Sequence, residues 1–279
     1  VIPRSQTVAG KLIDQAEAAG KLQSFANTPA QSLIVENGRI KGVVTHRGTI
    51  EADYVVICAG LWGRLIAEMV GEDLPVMPID HPLTFFGPYN EFAGTGKEIG
   101  WPLMRDQGNS AYMRDTGDPK TAEGGQIEWG YYEETNPRLC HPRDLLEKHE
   151  ARLSPSQRDL DMEQVLEPLE RAIELTPILG ELGYNESHSF NGFLQVTTDG
   201  GPSMGESQKV RGLWYAVAIW VKDGPGMGKL IADWMTDGRT AIDHHAIDYS
   251  RFYPHQMTEQ FIWDRCTETA MKVYNPAVH

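Results

Sequence analysis

Residues 54–60, YVVICAG, form a continuous apolar run that ends in two small residues and feeds directly into the helical stretch WGRLIAEMVG. A run of this kind reads as a strand buried on both faces of a parallel sheet. Strand, small-residue turn and helix together make one α/β unit. A second such unit lies far down the chain. It consists of LWYAVAIWV (213–221), the glycine knot KDGPGMG and the helix GKLIADWMTDG, which Gly238 stops. The glycines at 224, 226 and 228 pose a question, because bare backbone at a helix N-terminus suits an anion or a flat cofactor. It equally suits an ordinary turn whose glycines relieve crowding.

Between the two units the texture changes. PVMPIDHPLTFFG, WPLMR, SAYMRD and QIEWGYY alternate or run apolar between Gly, Asp, Asn and Pro turns, as antiparallel strands do. Residues 143–182 read as helical, and FNGFLQVTTD returns to strand. Upstream, a helix from about Ser5 to Gly20 carries Val8, Leu12 and Ile13 on one face. The strands LQSFA, SLIVE and RIKGVVTH follow, the last two joined at Asn37-Gly38, a pair that supports the positive φ of a tight hairpin. A helical tail is expected from Met257 to Val273.

The fold class expected is α/β with an α+β insert, an antiparallel domain set into a parallel-sheet domain. The segments are 1–72, 73–195 and 196–250, with a helical linker at 251–279. With 279 residues, 41% of them hydrophobic, the chain has material for a sizeable core. A net charge of −14 disfavours nucleic acid or an anionic membrane as partner. No apolar run approaches the roughly 18 residues of a membrane span. Cys58, Cys140 and Cys266 lack CxxC spacing, which points away from zinc and disulfide frameworks and towards a reducing, cytoplasmic setting. His244-His245 belongs to no HExxH pattern, so no metal site is expected. The opening VIPRSQTVAG has neither an initiator methionine nor a hydrophobic leader, and reads as the start of a fragment or processed chain.

Longer words carry a resemblance. GVVTHRGTIEADYVVICAGLWG resembles the closing segment of the flavin domain in amine oxidoreductases of the D-amino-acid oxidase superfamily. VTTDGGPSMGES, followed by GLWYAVAIWVKDGPGMGKLIADWMTDGR, resembles their final strand, turn and helix. Within that superfamily the chain is most similar to the dimethylglycine oxidase and sarcosine dehydrogenase group. IDHPLTFF and AYMRDTGD correspond to two of that group's active-site stretches. The family's GxGxxG fingerprint and its flavin-linked histidine have no counterpart here, so the chain resembles the middle of such an enzyme and is expected to retain FAD poorly by itself. TAMKVYNPAVH resembles the lead-in to the folate-binding domain that follows in the family.

The resemblance implies FAD as cofactor and oxidative demethylation of a small secondary or tertiary N-methyl amino acid, by hydride transfer to the flavin. It implies His81 and Tyr112 as catalytic residues. Lys222, four residues before Gly226, matches a substrate-anchoring lysine, and Arg114 is a second cationic candidate on the Tyr112 strand face. The flavin would meet Ala30, Ala59, Gly60 and Trp62 from the first half of the chain. From the glycine turn it would meet Ile219, Trp220, Val221, Lys222, Gly224, Gly226 and Met227. Trp101, Trp129, Tyr131 and Tyr132 are candidates for a pocket wall, although aromatic strand residues usually belong to the core. The competing expectation is a non-catalytic subunit or binding module that needs a partner chain to complete the flavin site.

Overall fold

The computed structural model describes residues 5–121, 124–147 and 156–273. Residues 148–155 of the expected helical stretch, and the end of the tail beyond 273, lie outside the described residues. The chain divides into two compact units. One comprises Val1–Ala59, Ile66–Glu72 and Pro202–Arg251; the other comprises Gly60–Leu65, Asp73–Gly201 and Phe252–His279.

The first unit opens with helix α1 (Ser5–Ala18), whose apolar face stays open: Leu12 is 50% exposed and no residue of the helix is buried. LQSFA is not a strand. Strands β1 (Ala30–Glu36), β2 (Arg39–Thr45) and β3 (Gly48–Glu51) form an antiparallel sheet in that order. Asn37 and Gly38 turn between β1 and β2 with φ of 51° and 72°, the left-handed pair that an Asn-Gly sequence favours.

The run expected to be buried on both faces forms only a three-residue strand, β4 (Val55–Ile57). It pairs parallel with β12 (Leu213–Val217), which in turn pairs antiparallel with β11 (Ser203–Glu206). Among the described residues β4 is thus an edge strand of its sheet, and Val56 is 36% exposed. β12 is buried along its whole length. Met204, Trp214 and Ala216 pack there against Leu230 and Ile231 of helix α6 (Gly224–Asp237), and Gly238 ends that helix at φ 68°.

Glu72 ties this unit together, although it is a buried carboxylate. Its Oε2 accepts hydrogen bonds from the Ser207 hydroxyl (2.6 Å) and the Tyr215 hydroxyl (2.5 Å), and its Oε1 from the amides of Gln208 and Lys209 (3.1 Å each). Four donors on two oxygens replace the hydration lost on burial. Burial first, and then the hydrogen-bonded carboxylate, push the Tyr215 phenol pKa up.

The second unit holds a six-stranded antiparallel sheet. It is built from β5 (Val76–Phe86), β6 (Met104–Asp106), β7 (Ala111–Asp115), β8 (Ile127–Tyr131), β9 (Gln157–Arg158) and β10 (Phe190–Thr197), in the order β6-β7-β8-β5-β10-β9. Its helices are α3 (Pro142–Glu147), α4 (Met162–Leu175), α5 (Ile178–Glu181) and α7 (Glu259–Lys272), and the short helix α2 (Gly63–Glu68) runs from this unit into the other. The stretch expected to be continuously helical is interrupted by β9, and α4 begins afresh where the Asp161 carboxylate caps the Glu163 amide.

Alternation along the strands sends Phe86, Met113, Ile127, Trp129 and Tyr131 to one face, against Val165, Leu169 and Ala172 of α4 and Leu179 of α5. On the opposite face α7 covers Met77, Ile79 and Val196. The remainder of that face is half-buried.

Replacing Glu72 by Ala should cost about 2–3 kcal/mol, because a phenol, a hydroxyl and two amides would lose their buried acceptor. Urea unfolding compares the variants, and Glu72→Gln, which keeps one acceptor oxygen, should lose less.

Candidate functional site

The half-buried part of the sheet face carries His81 of β5, Tyr112 and Arg114 of β7, Glu128 of β8, Arg105 of β6 and, just past β8, Tyr132. The ladder brings them together. Arg105 pairs with Tyr112, Tyr112 with Gly130, and Gly130 with Leu83, placing His81 two residues along β5 from that row. His81 Nε2 and the Tyr112 hydroxyl share a hydrogen bond of 2.9 Å. The Tyr132 ring lies 4.7 Å from the imidazole and 5.7 Å from the Tyr112 ring. The Arg105 guanidinium sits over the Tyr132 ring, 5.1 Å from its centre.

This setting disfavours the imidazolium. Loss of solvent around the ring, and then the positive charge of Arg105, lower the His81 pKa to about 4. At neutral pH His81 is a neutral imidazole, able to accept a proton or exchange a hydrogen bond with an amine.

The two cations expected at the site, Arg114 and Lys222, are each engaged by a carboxylate. Arg114 makes a two-point pair with Glu128, Nε to Oε1 at 2.5 Å and Nη2 to Oε2 at 2.9 Å. Lys222, in the first unit, is exposed, and its ammonium is held by the adjacent Asp223 carboxylate at 2.7 Å. A buried ammonium awaiting a substrate anion is therefore not what the structure shows there. Arg105 was not singled out in the sequence. It sits in WPLMR among ordinary strand residues, and the only available signal was its cross-strand partner, Tyr112. Of the aromatic wall candidates, Tyr132 joins His81. Trp129 and Tyr131 stack on each other in the core of the opposite face, and Trp101 packs on Tyr89 and Phe92.

In the first unit, β12 ends at Val217 because Ala218 takes φ 56°, a conformation that L-residues adopt at a cost. Ile219 packs on the α6 core, Trp220 is half-buried and Val221 is exposed. The α6 glycines then start the helix. A Cβ added at Gly224, Gly226 or Gly228 would meet no atom of the chain within 4 Å, and none of the three has positive φ. Neither crowding within the chain nor backbone conformation calls for glycine at these positions. What they leave is an open helix N-terminus with backbone accessible to a flat group.

Ala30 begins β1, and Ala59 and Gly60 follow β4, Gly60 with φ 52°. Trp62, in the second unit, has a buried indole N–H that meets no hydrogen-bond acceptor. The open turn by itself fits a planar cofactor.

Comparison with known proteins places this arrangement. Residues 3–234 match the family described as FAD dependent oxidoreductase, and residues 237–279 match the FAD dependent oxidoreductase central domain. The chain belongs to the FAD dependent oxidoreductase family. Human mitochondrial sarcosine dehydrogenase is 27% identical over 242 residues, which cover 85% of this chain and 24% of the relative. The mouse mitochondrial pyruvate dehydrogenase phosphatase regulatory subunit is 26% identical over 280 residues, covering 97% of this chain and 29% of the relative. The chain thus spans about a quarter of the length of these relatives. The crystal structure of glycine oxidase from Geobacillus kaustophilus superposes with a TM-score of 0.62 at 20% identity, over 85% of this chain and 56% of that one, and shows the shared fold.

Two predictions arise from this geometry. NMR titration should find His81 protonating near pH 4. Because the unfolded imidazole takes up its proton near 6.5 while the folded one resists, stability should be complete above about pH 6.5 and decline as pH falls towards 4. A His81→Gln variant, compared by urea unfolding across that window, should lack this decline. Separately, Gly226→Ala should leave stability unchanged or raise it by up to about 1 kcal/mol, since alanine is the better helix former. FAD titration of the same variant should show weakened binding.

Proposed function

We propose that the protein oxidises the N-methyl group of a small N-methylated amino acid of the sarcosine or dimethylglycine type. FAD, when bound, supplies the hydride acceptor. The observation that carries the reading is the His81–Tyr112 hydrogen bond set beside Arg105 on the half-buried sheet face. The relationship to sarcosine dehydrogenase supports the substrate class.

In this reading the neutral imidazole of His81 exchanges a hydrogen bond with the substrate amine and adds no positive charge beside it, the amine having to be unprotonated to be oxidised. The Tyr112 hydroxyl orients the imidazole through their shared hydrogen bond. Arg105 holds the substrate carboxylate, being the cation that stands against the aromatic group. Tyr132 and Tyr112 shield the amine from water. The open glycine turn at the start of α6 would hold the cofactor, the backbone N–H of Gly226 lying in its first turn.

A second reading, a regulatory subunit without turnover, is supported by the kinship with the phosphatase regulatory subunit. One experiment separates the two. In the FAD-loaded protein, His81→Ala should slow flavin reduction by sarcosine or dimethylglycine roughly 10²–10⁴-fold. Arg105→Met should raise KM for these amines about tenfold while sparing an amine without a carboxylate. If Lys222→Met raises KM instead, the anchor is Lys222. Absence of flavin reduction by any N-methyl amino acid in the unmodified, FAD-loaded protein would favour the regulatory reading.

A further inference from the structure

The glycine in the middle of β8 has no backbone reason to be there. Gly130 is buried, its φ is not positive, and it pairs on both sides, with Tyr112 of β7 and Leu83 of β5. Glycine weakens a strand interior because it packs nothing and loses the most freedom on folding. At this position, however, a Cβ would fall 2.4 Å from the Tyr112 hydroxyl oxygen, 2.5 Å from its Cζ and 3.1 Å from its Cε1. The first two distances are shorter than any non-bonded contact a methyl group tolerates.

The reason lies in the distance to be crossed. His81 and Tyr112 stand on β5 and β7, with β8 between them. Two strand spacings amount to about 10 Å. Strand side chains ordinarily stand roughly perpendicular to the sheet. A perpendicular tyrosine and a perpendicular histidine two strands apart would not meet. Tyr112 instead lies down across the middle strand, over Gly130, and its hydroxyl arrives 2.9 Å from His81 Nε2.

We propose that Gly130 is a positioning residue: the space left by its missing side chain is the slot in which the Tyr112 ring crosses β8 to reach His81. The inference rests on reading His81 and Tyr112 as the functional pair, but the slot itself can be tested without turnover.

The test compares the His81 imidazole ¹⁵N resonances in the protein and in its Gly130→Ala and Tyr112→Phe variants. The added methyl should displace the phenol, so Gly130→Ala should move the Nε2 resonance to the position it takes in Tyr112→Phe, where the hydroxyl is absent. A His81 resonance left in place by Gly130→Ala overturns the proposal. If Gly130→Ala does not fold, the double variant Tyr112→Ala/Gly130→Ala decides. Recovered folding shows that the methyl clashes with the phenol, whereas continued failure means that glycine serves the strand and the proposal falls. Flavin reduction by the amine in the FAD-loaded protein tests the functional reading separately. Gly130→Ala and Tyr112→Phe should slow it alike, roughly tenfold, with no further loss when combined. Resonances that move without any change in that rate would uphold the slot and remove the function assigned to the pair.

Discussion

The two-residue pleat of the six-stranded sheet is the constraint on which the site depends. Trp129, Ile127, Met113 and Phe86 must all reach the face that α4 and α5 cover. Burying each such side chain contributes about 1.5–3 kcal/mol. With those residues committed, alternation leaves His81, Tyr112, Arg114 and Glu128 no position except the other face. A slip of one residue on β7 would push Tyr112 and Arg114 into the core and expose Met113, so the core enforces the register of the site. Packing energy on one side of the sheet thereby sets chemical geometry on the other.

Charge placement then differentiates residues that look alike in composition. Arg114 and Glu128 satisfy each other, a stable pair with little pull on anything else. Arg105 donates from Nε to Gln107 Oε1 at 3.3 Å and lies over an aromatic ring, and its field reaches the imidazole of His81. Desolvation and a neighbouring cation act in the same direction on a histidine, both favouring the neutral ring.

The other unit contributes a different kind of opportunity. Its core is closed around β12 and α6, with the buried carboxylate of Glu72 accepting from four donors. At the N-terminus of α6 it leaves three glycines whose empty side-chain space faces no part of the chain. Strain at Ala218 ends β12 and begins the turn into that opening. Rigid packing behind an open turn is what a site for a planar group requires.

Much of this was legible in the residues themselves. Alternating apolar positions announced the antiparallel strands, Asn37-Gly38 marked the hairpin, and Gly238 marked the end of α6. These signals are local, carried by the preferences of one to ten consecutive residues, and so they survive in a linear reading. The resemblance singled out His81 and Tyr112, and only the structure brings them into one hydrogen bond. Tertiary structure alone decided that the strand at 55–57 lies on an edge, that Arg114 is neutralised by a residue fourteen positions away, and that Lys222 is exposed. It alone put Arg105 over Tyr132 and laid the Tyr112 ring across Gly130. Each of these depends on which strand becomes whose neighbour, and that order is set by burial summed over the whole sheet rather than by any short stretch of sequence.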